Sequence, residues 1–249
     1  CVVANYVAKI GINKNHFMSR ILKVAAAQLG PITLKEPRSS AVKRMIVLMQ
    51  NAKAKGAELV IFPELALTTF FPRWYTEDQS EIDKYFETEM PNKDTEPLFA
   101  EARKLKIGFN FGFAELVVEK RVTRHFNTAI IVDQQGRIAA KYRKIHLPGH
   151  TENEPWRAFQ HLEKRYFEKG NLGFQVHQVF GGKIGMCICN DRRWPETFRV
   201  MGLQGVELVA LGYNTPAHYP LAPEHDHLQD FHNHLVLQAA AYQNGTWIV

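Results

Sequence analysis

The chain has 249 residues, of which 45% are hydrophobic and 22% are charged, values that are typical of a soluble globular protein. It contains no apolar run long enough to span a bilayer, so we expect no membrane partner. Its formal charge of +6 comes from 31 basic and 25 acidic residues that are spread along the chain, which argues against a nucleic-acid partner and favours a small anionic substrate.

Strand and helix signals alternate along the chain. Strands are predicted over residues 21–28, 58–62, 107–113, 127–132, 137–142, 174–180, 183–189, 206–212 and 247–249, and helices over 39–55, 95–105, 196–204 and 225–243. The first three elements form a βαβ unit, and glycine-containing turns close two hairpins. This mixture predicts one α/β domain, built either on a mixed sheet or on paired sheets covered by helices.

The two ends of the chain differ from its centre. Residues 1–17 show no clear periodic pattern, and the first regular strand is expected only after Met18. We therefore interpret 1–17 as a tail of unclear origin and 18–249 as the folded domain. Because the chain stops inside a predicted strand, we expect this domain to be incomplete at its C-terminus.

The cysteines are Cys1, Cys187 and Cys189, an odd and low number that argues against a disulfide framework. Such usage fits a reducing compartment, and we expect a cytoplasmic protein. Cys187 and Cys189 lie at the end of a predicted strand, and we expect their side chains to point to opposite faces. That geometry is poor for a shared metal and predicts one cysteine in the core and the other at a functional site.

Cys189 lies where a predicted strand gives way to a helix, since Asn190 and Pro195 stop the strand. In open α/β sheets the chemistry is found at such carboxyl ends of strands. Nearby backbone N–H groups and the side chains of Arg192 and Arg193 should lower the pKa of the thiol and favour the nucleophilic thiolate.

Two further charged residues share this setting. Glu64 follows the strand at 58–62, and Lys144 follows the strand at 137–142. If the three strands are neighbours, their ends converge in one cleft. The group then suits acyl transfer, with Cys189 attacking a carbonyl carbon, Glu64 acting as the base and Lys144 facing the developing oxyanion.

Three stretches resemble the signature blocks of the nitrilase (carbon–nitrogen hydrolase) superfamily, in the order found there. They are Phe-Pro-Glu-Leu at 62–65, Tyr-Arg-Lys-Ile-His-Leu-Pro at 142–148 and Cys-Asn-Asp-Arg-Arg-Trp-Pro-Glu at 189–196. Within the superfamily, residues 63–74, 161–167 and 212–216 look like those of N-carbamoyl-D-amino-acid hydrolases. The resemblance covers residues 21–249.

This resemblance implies a four-layer α-β-β-α sandwich and a triad of Glu64, Lys144 and Cys189, with Glu163 as a second glutamate beside it. It also implies hydrolysis of N-carbamoyl-D-amino acids to D-amino acids, carbon dioxide and ammonia through a cysteine acyl-enzyme. The expected partners are a small anionic ureido substrate and further copies of the chain, as a dimer or tetramer. No cofactor and no metal are expected.

The family pattern also suggests substrate contacts. Arg192 and Arg193 offer forked donors for a substrate carboxylate, although only one of two adjacent side chains need point inward. Further polar side chains near the motifs are candidate contacts to the substrate or to its immediate neighbours: Asn190, Asn214, Thr215, His146 and His161.

Other interpretations remain open at this point. One is a different amidase or ureido hydrolase of the superfamily, for example a β-ureidopropionase-like or aliphatic amidase activity. Another is a truncated, inactive homologue that acts as an interaction module. A metal-dependent hydrolase is disfavoured, because no two histidines between residues 218 and 234 are spaced i,i+4 and no His-Glu-x-x-His motif occurs.

Overall fold

The computed structural model describes residues 3–10, 20–157, 159–220 and 223–249. The strands are β1 (Val3–Ile10), β2 (Arg20–Ala27), β3 (Leu59–Ile61), β4 (Gly108–Glu119), β5 (Val122–Val132), β6 (Ile138–Arg143), β7 (Val176–Val179), β8 (Gly182–Ile188), β9 (Leu208–Gly212) and β10 (Trp247–Ile248). The helices are α1 (Arg38–Ala54), α2 (Gln79–Asp83), α3 (Glu96–Leu105), α4 (Glu163–Tyr166), α5 (Pro195–Leu203) and α6 (Asp226–Asn244). Within these ranges no helix combines the length and the apolar character needed to cross a bilayer.

The strands form two sheets. The first has the order β1-β2-β3-β4-β5-β6 and the second the order β10-β9-β8-β7. In the first sheet β2, β3 and β4 are parallel, whereas β4, β5 and β6 are successive antiparallel neighbours. In the second sheet β8, β9 and β10 are parallel and β7 is antiparallel to β8. Of the two arrangements that the sequence allows, the chain therefore adopts paired sheets.

Three apolar clusters separate four layers. Met45 of α1 and Phe99 of α3 pack on the outer face of the first sheet, against the Phe109 side of β4. Residues such as Leu59 and Ile184 fill the space between the sheets. On the far side, α5 and α6 cover β8 and β9. The α-β-β-α sandwich that the family resemblance implies is thus confirmed.

Side-chain alternation explains how single strands serve two layers. Along β8, Met186 and Ile188 lie between the sheets, whereas Cys187 lies on the helix side among residues of α5. Cys189 lies in the cluster between the sheets. The two thiols therefore point to opposite faces, as expected, but strand alternation is not the reason, because it would place residues two positions apart on the same face. Cys189 departs from the alternation because it lies beyond the end of β8 and has a φ angle of +45°.

Two parts of the first sheet differ from the sequence prediction. No regular strand is predicted before Met18, yet Val3–Ile10 pairs antiparallel with β2. Such backbone pairing at a sheet edge needs no apolar periodicity. The remaining residues of the expected tail, 1–2 and 11–17, lie outside the described residues. The predicted strands at 107–113 and 127–132 also extend towards each other as one long hairpin, 108–119 with 122–132.

Charged residues conceal this hairpin extension in the sequence, because they form an ion-pair network inside it. Buried Glu115 accepts hydrogen bonds from Arg143 Nε at 2.7 Å and from Thr128 Oγ1 at 2.8 Å, and it also pairs with Lys141. Arg143 donates to Glu119 at 2.6 Å as well. Burial raises the pKa of Glu115, but the hydrogen bonds from Arg143 and Lys141 outweigh it and hold that pKa below its ordinary value. The network fixes the strand that leads directly to Lys144.

We expect Glu115→Ala to destabilise the fold by roughly 3–5 kcal/mol, because it leaves the guanidinium of buried Arg143 without its main partner. Urea denaturation measures the change in the free energy of unfolding. The control is Lys104→Ala, which removes a cation that is 71% exposed and should cost less than about 1 kcal/mol. Equal losses in the two variants would contradict a stabilising role for the network.

Candidate active site

Lys144 follows β6 and its side chain has no solvent exposure. Its Nζ donates to Glu64 Oε1 at 2.7 Å and to Glu163 Oε2 at 2.6 Å. Burial lowers the pKa of the ammonium, but the charges of Glu163 and Glu64 outweigh it and raise that pKa above its ordinary value. Lys144 therefore stays protonated and provides a fixed positive charge in the interior.

Glu64 lies in the turn after β3 and is 1% exposed. Oε1 accepts hydrogen bonds from Lys144 and, at 2.7 Å, from Asn127 Nδ2. Oε2 is buried and has no hydrogen-bond partner among the described residues. Burial and the charge of Glu163 raise the pKa of Glu64 against the opposing effect of Lys144. One oxygen of a carboxylate with increased proton affinity is thus free to accept a proton.

Glu163 opens α4 and is fully buried. Its Oε1 lies 3.1 Å from His161 Nε2, and its Oε2 contacts Lys144. Burial raises the pKa of Glu163, but Lys144 and His161 more than compensate, so this pKa lies below its ordinary value. The two glutamates on Lys144 thus differ in proton affinity, which is the arrangement that separates an acid–base group from a permanently charged one.

Cys189 is the first residue of a short 3₁₀ helix, Cys189–Arg193, that follows β8. Its φ angle of +45° lies in the left-handed region, so the chain turns sharply at the thiol. Burial and the charge of Glu64 raise the pKa of Cys189 to about 12, against the opposing effects of Lys144 and Arg192. The predicted lowering of this pKa is therefore wrong, because desolvation and two nearby carboxylates outweigh the cations. The resting group is a neutral thiol.

Buried Asp191 holds this turn in place. One of its oxygens accepts from Ile188 N at 3.0 Å and from the hydroxyl of Tyr142 at 2.8 Å. The other accepts from His146 N at 2.9 Å and lies 3.0 Å from His146 Nδ1. A single carboxylate thereby links the end of β8 to the segment around Lys144. Asp191 is not among the site residues that the sequence predicts, so sequence reasoning missed this role.

The turn that carries Glu64 is confined between two glycines. A Cβ atom at Gly112 would lie 2.8 Å from Glu64 Cα, and one at Gly212 would lie 2.9 Å from Glu64 N. Asn214, two residues after β9, donates from Nδ2 to the carbonyl oxygen of Glu64 at 2.5 Å. Only glycine allows this close approach from both sheets, so the position of the carboxylate is fixed on two sides.

Most of the predicted substrate contacts bond to protein atoms. Arg192 is 2% exposed and donates to Cys189 O at 2.6 Å, to Thr215 Oγ1 at 3.0 Å and to Asn233 Oδ1 at 2.6 Å. Arg193 differs, because it is exposed and donates only a long hydrogen bond within the described residues, from Nη1 to Asn190 Oδ1 at 3.5 Å. Of the two arginines, Arg193 is the one with donors left for a ligand.

The remaining candidates surround the three-residue cluster. Asn190 Nδ2 donates to His146 O at 3.1 Å, and the His146 ring stacks on Trp194 with centroids 5.0 Å apart. His161 contacts Glu163 as described above. Sequence reasoning missed Asn127, which is fully buried between the two glutamates, 2.7 Å from Glu64 Oε1 and 3.5 Å from Glu163 Oε2. The available signal was one amide side chain within the apolar run of β5.

The site therefore combines a thiol, a carboxylate oxygen free to accept its proton and a buried ammonium. A nucleophile, a base and a positive charge are the three elements that attack on a carbonyl carbon requires. The arrangement suits acyl transfer from an amide or ureido group.

Comparison with known proteins gives one family over most of the chain: the model for carbon-nitrogen hydrolases matches residues 23–249. The chain is 33% identical over 162 residues to an N-carbamoylputrescine amidase of Arabidopsis thaliana, which covers 65% of this chain and 49% of the relative. It is 27% identical over 212 residues to a citrullinase of Francisella tularensis, covering 84% of this chain and 67% of the relative. The chain thus spans about half to two thirds of these relatives.

Solved structures agree on the fold. A carbon-nitrogen hydrolase from Helicobacter pylori G27 superposes with a TM-score of 0.75 at 23% sequence identity. The match covers 91% of this chain and 72% of that one. At this identity the likeness supports the fold alone.

We expect alkylation of Cys189 by iodoacetamide to accelerate about tenfold per pH unit between about pH 8 and 10, because the thiolate fraction keeps rising below a pKa of about 12. Mass spectrometry of the peptide that contains Cys189 measures the rate. The matched control is Cys189→Ser, which reports alkylation at the other cysteines. A plateau below pH 9 would show a lowered pKa and contradict the structure.

Proposed function

This chain belongs to the carbon-nitrogen hydrolase family, and we propose that it hydrolyses N-carbamoyl-D-amino acids to D-amino acids, carbon dioxide and ammonia through a cysteine acyl-enzyme. The observation that carries the proposal is the buried ammonium of Lys144, held by two glutamates beside Cys189, with Glu64 Oε2 unpaired. The proposed catalytic residues are Glu64, Lys144 and Cys189, with Glu163 holding Lys144.

In the first half-reaction, Glu64 takes the thiol proton as Cys189 Sγ bonds to the ureido carbon. The ammonium of Lys144 stabilises the negative charge that develops on the carbonyl oxygen. The bond from this carbon to the terminal nitrogen then breaks, and the proton on Glu64 leaves with that nitrogen as ammonia. A thiocarbamate, in which the ureido carbon is bonded to sulfur, remains on Cys189.

In the second half-reaction, Glu64 takes a proton from water while the water oxygen bonds to the same carbon. The carbon–sulfur bond breaks, and the proton on Glu64 returns to the sulfur. The released N-carboxy amino acid decomposes to the amino acid and carbon dioxide. The raised pKa of Glu64 supports this double role, because a carboxylate with increased proton affinity is the stronger base.

The choice of a ureido substrate draws support from the relatives. The names N-carbamoylputrescine amidase and citrullinase both refer to compounds that carry a ureido group. Preference for the D series rests on the resemblance of residues 63–74, 161–167 and 212–216 to N-carbamoyl-D-amino-acid hydrolases. A carbamoylated diamine is less favoured here, since the positive charge of Arg193, close to Cys189, suits a carboxylate rather than an ammonium.

The proposal is tested by measuring ammonia release from N-carbamoyl-D-amino acids, their L isomers, simple aliphatic amides and nitriles. We expect the highest kcat/KM with the D-ureido acids. A preference for a simple amide would overturn the proposed substrate and leave the cysteine mechanism in place. Absence of release from every compound would contradict a hydrolase and favour the inactive-homologue interpretation.

The two cysteines of β8 and its following turn provide a matched control for this assay. Cys189→Ala should lower kcat by at least about a thousandfold, because it removes the nucleophile. Cys187→Ala alters a thiol that packs against α5 and should retain turnover at a modest cost in stability. The reverse result would show that the wrong cysteine has been assigned.

We expect Glu163→Gln to move the acid limb of the kcat/KM pH profile to lower pH. Glu163 raises the pKa of Glu64, so removing its charge lets Lys144 lower that pKa. A weaker base should also reduce kcat, by roughly tenfold or more. Glu154→Gln, on the loop before α4, is the control and should leave the profile unchanged. An acid limb that stays in place or moves to higher pH in Glu163→Gln would contradict the assignment.

A further inference from the structure

Arg73 is a half-buried arginine whose guanidinium has no hydrogen-bond or ion-pair partner among the described residues. It ends the short 3₁₀ helix Phe71–Arg73, and its Cζ lies 5.6 Å from the ring centre of Phe70 and 5.1 Å from that of Phe159. Arg143 and Arg192, which are also buried, donate to carboxylate, amide or carbonyl oxygens. The donors of Arg73 are therefore directed at no protein acceptor in the described part of the chain.

The backbone anchors Arg73 beside the candidate active site. Gln160 N donates to Arg73 O at 2.9 Å, and Leu162 N donates to Pro72 O at 2.8 Å. These bonds join the arginine to the segment that carries His161 and Glu163. The Phe70 ring, which contacts Arg73, also meets the His161 ring edge-on at 5.9 Å. A continuous series of contacts thus connects Arg73 to the carboxylate that holds Lys144.

The same side chain lines a cavity of about 1150 Å³. Phe70, Phe159, Asn214 and Tyr219 form part of its wall. Burial lowers the pKa of Arg73 below its ordinary value, against the opposing charges of Glu163 and Glu64. The cavity therefore has a cationic group on its wall, on a segment that is hydrogen-bonded to the one carrying Glu163.

The charges around the site suggest a role for Arg73 in binding an anionic substrate. The carboxylates of Glu64 and Glu163 repel such a substrate. The nearby cations Lys144 and Arg192 already donate to protein oxygens. The contacts of Arg73 Cζ with the two aromatic rings use none of its N–H donors. The guanidinium therefore keeps its fork of donors, which can bind a carboxylate through two hydrogen bonds. From these contacts we infer that Arg73 is the receptor for the substrate carboxylate.

This inference deepens the proposed function and rests on it, since it names the second group that the substrate must carry. The substrate class becomes amides and ureas that bear a carboxylate, with the scissile carbon at Cys189 and the anion at Arg73. Arg192 then serves the protein by holding the turn at Cys189, and Arg193 is the alternative receptor that the experiment must distinguish.

The test separates binding from turnover. In the full chain with Cys189→Ala, calorimetry measures the Kd of N-carbamoyl-D-alanine and of its neutral carboxamide, N-carbamoyl-D-alaninamide. We expect Arg73→Met to weaken the carboxylate ligand roughly 10- to 100-fold, the range for losing hydrogen bonds to a charged group. Binding of the carboxamide should change less than about twofold. Arg73→Lys, which keeps the charge but loses the fork, should give an intermediate Kd.

Arg157→Met is the matched control for the loss of one positive charge, because Arg157 is exposed, pairs with Glu154 and lies two positions from Phe159. It should leave both Kd values unchanged. Equal weakening of the two ligands in Arg73→Met would overturn the inference, as would equal affinity for both ligands while Arg73 is intact. Loss of carboxylate preference in Arg193→Met alone would assign the receptor to Arg193 instead.

The experiments distinguish failure of the hydrolase proposal from failure of the Arg73 inference. If the chain with Cys189 intact releases no ammonia but its Cys189→Ala variant still prefers the carboxylate through Arg73, the hydrolase proposal fails and the binding inference stands. If turnover occurs and KM for N-carbamoyl-D-alanine is the same in Arg73→Met, the hydrolase proposal stands and the inference fails. A selective rise in KM with kcat largely retained supports both.

Discussion

The site depends on one ammonium group shared by two carboxylates inside the protein. Lys144, Glu64 and Glu163 are almost completely buried, and each needs the others, because an isolated charge in this environment is strongly disfavoured. The shared cation makes the two glutamates unequal, since Glu163 has a second partner in His161 whereas Glu64 keeps an unpaired oxygen. Proton affinity is thereby concentrated on the carboxylate that neighbours the thiol, and the remaining features of the site maintain this asymmetry.

Both sheets and their connecting turns hold the group rigid. Gly112 of the first sheet and Gly212 of the second enclose the turn of Glu64, while Asp191 fastens the turn of Cys189 to the segment after β6. The cavity wall is different, because Phe70 and Phe159 come from loops and Arg73 from a short 3₁₀ helix. The proposed reacting groups are therefore held by strands and the turns that follow them, whereas the side chains proposed to meet the rest of a substrate lie on segments that can vary without disturbing them.

Periodicity predicted the strands and helices but left a mixed sheet and paired sheets both open, and only the family resemblance implied the layered sandwich. Strand ends suggested one cleft for Glu64, Lys144 and Cys189, because parallel strands of one sheet end at the same edge. The pKa shift of a buried group and its hydrogen-bond partners could not be predicted from the sequence, because both depend on residues that are distant along the chain. The pKa of Cys189 is raised mainly by desolvation. The hydrogen bond from Arg192 to Asn233 joins residues that are 41 positions apart. Charged residues from Glu115 to Arg124 concealed the long hairpin, since their pairing partners come from other segments. Arg73 could not be identified from the sequence, because what distinguishes it is a guanidinium without a hydrogen-bond or ion-pair partner among the described residues.

The opposed orientation of the two neighbouring thiols has a consequence for oxidative damage. Peroxide converts an exposed thiolate to a sulfenic acid, which a second thiol within reach can trap as a disulfide and so protect. Cys187 lies on the helix side of β8 and cannot reach the sulfur of Cys189, which lies between the sheets. Once oxidised, Cys189 would have no rescue from its nearest cysteine in sequence and would depend on a small external reductant for repair. The raised proton affinity of the resting thiol is then also a safeguard, because it keeps the oxidisable thiolate scarce until a substrate is bound.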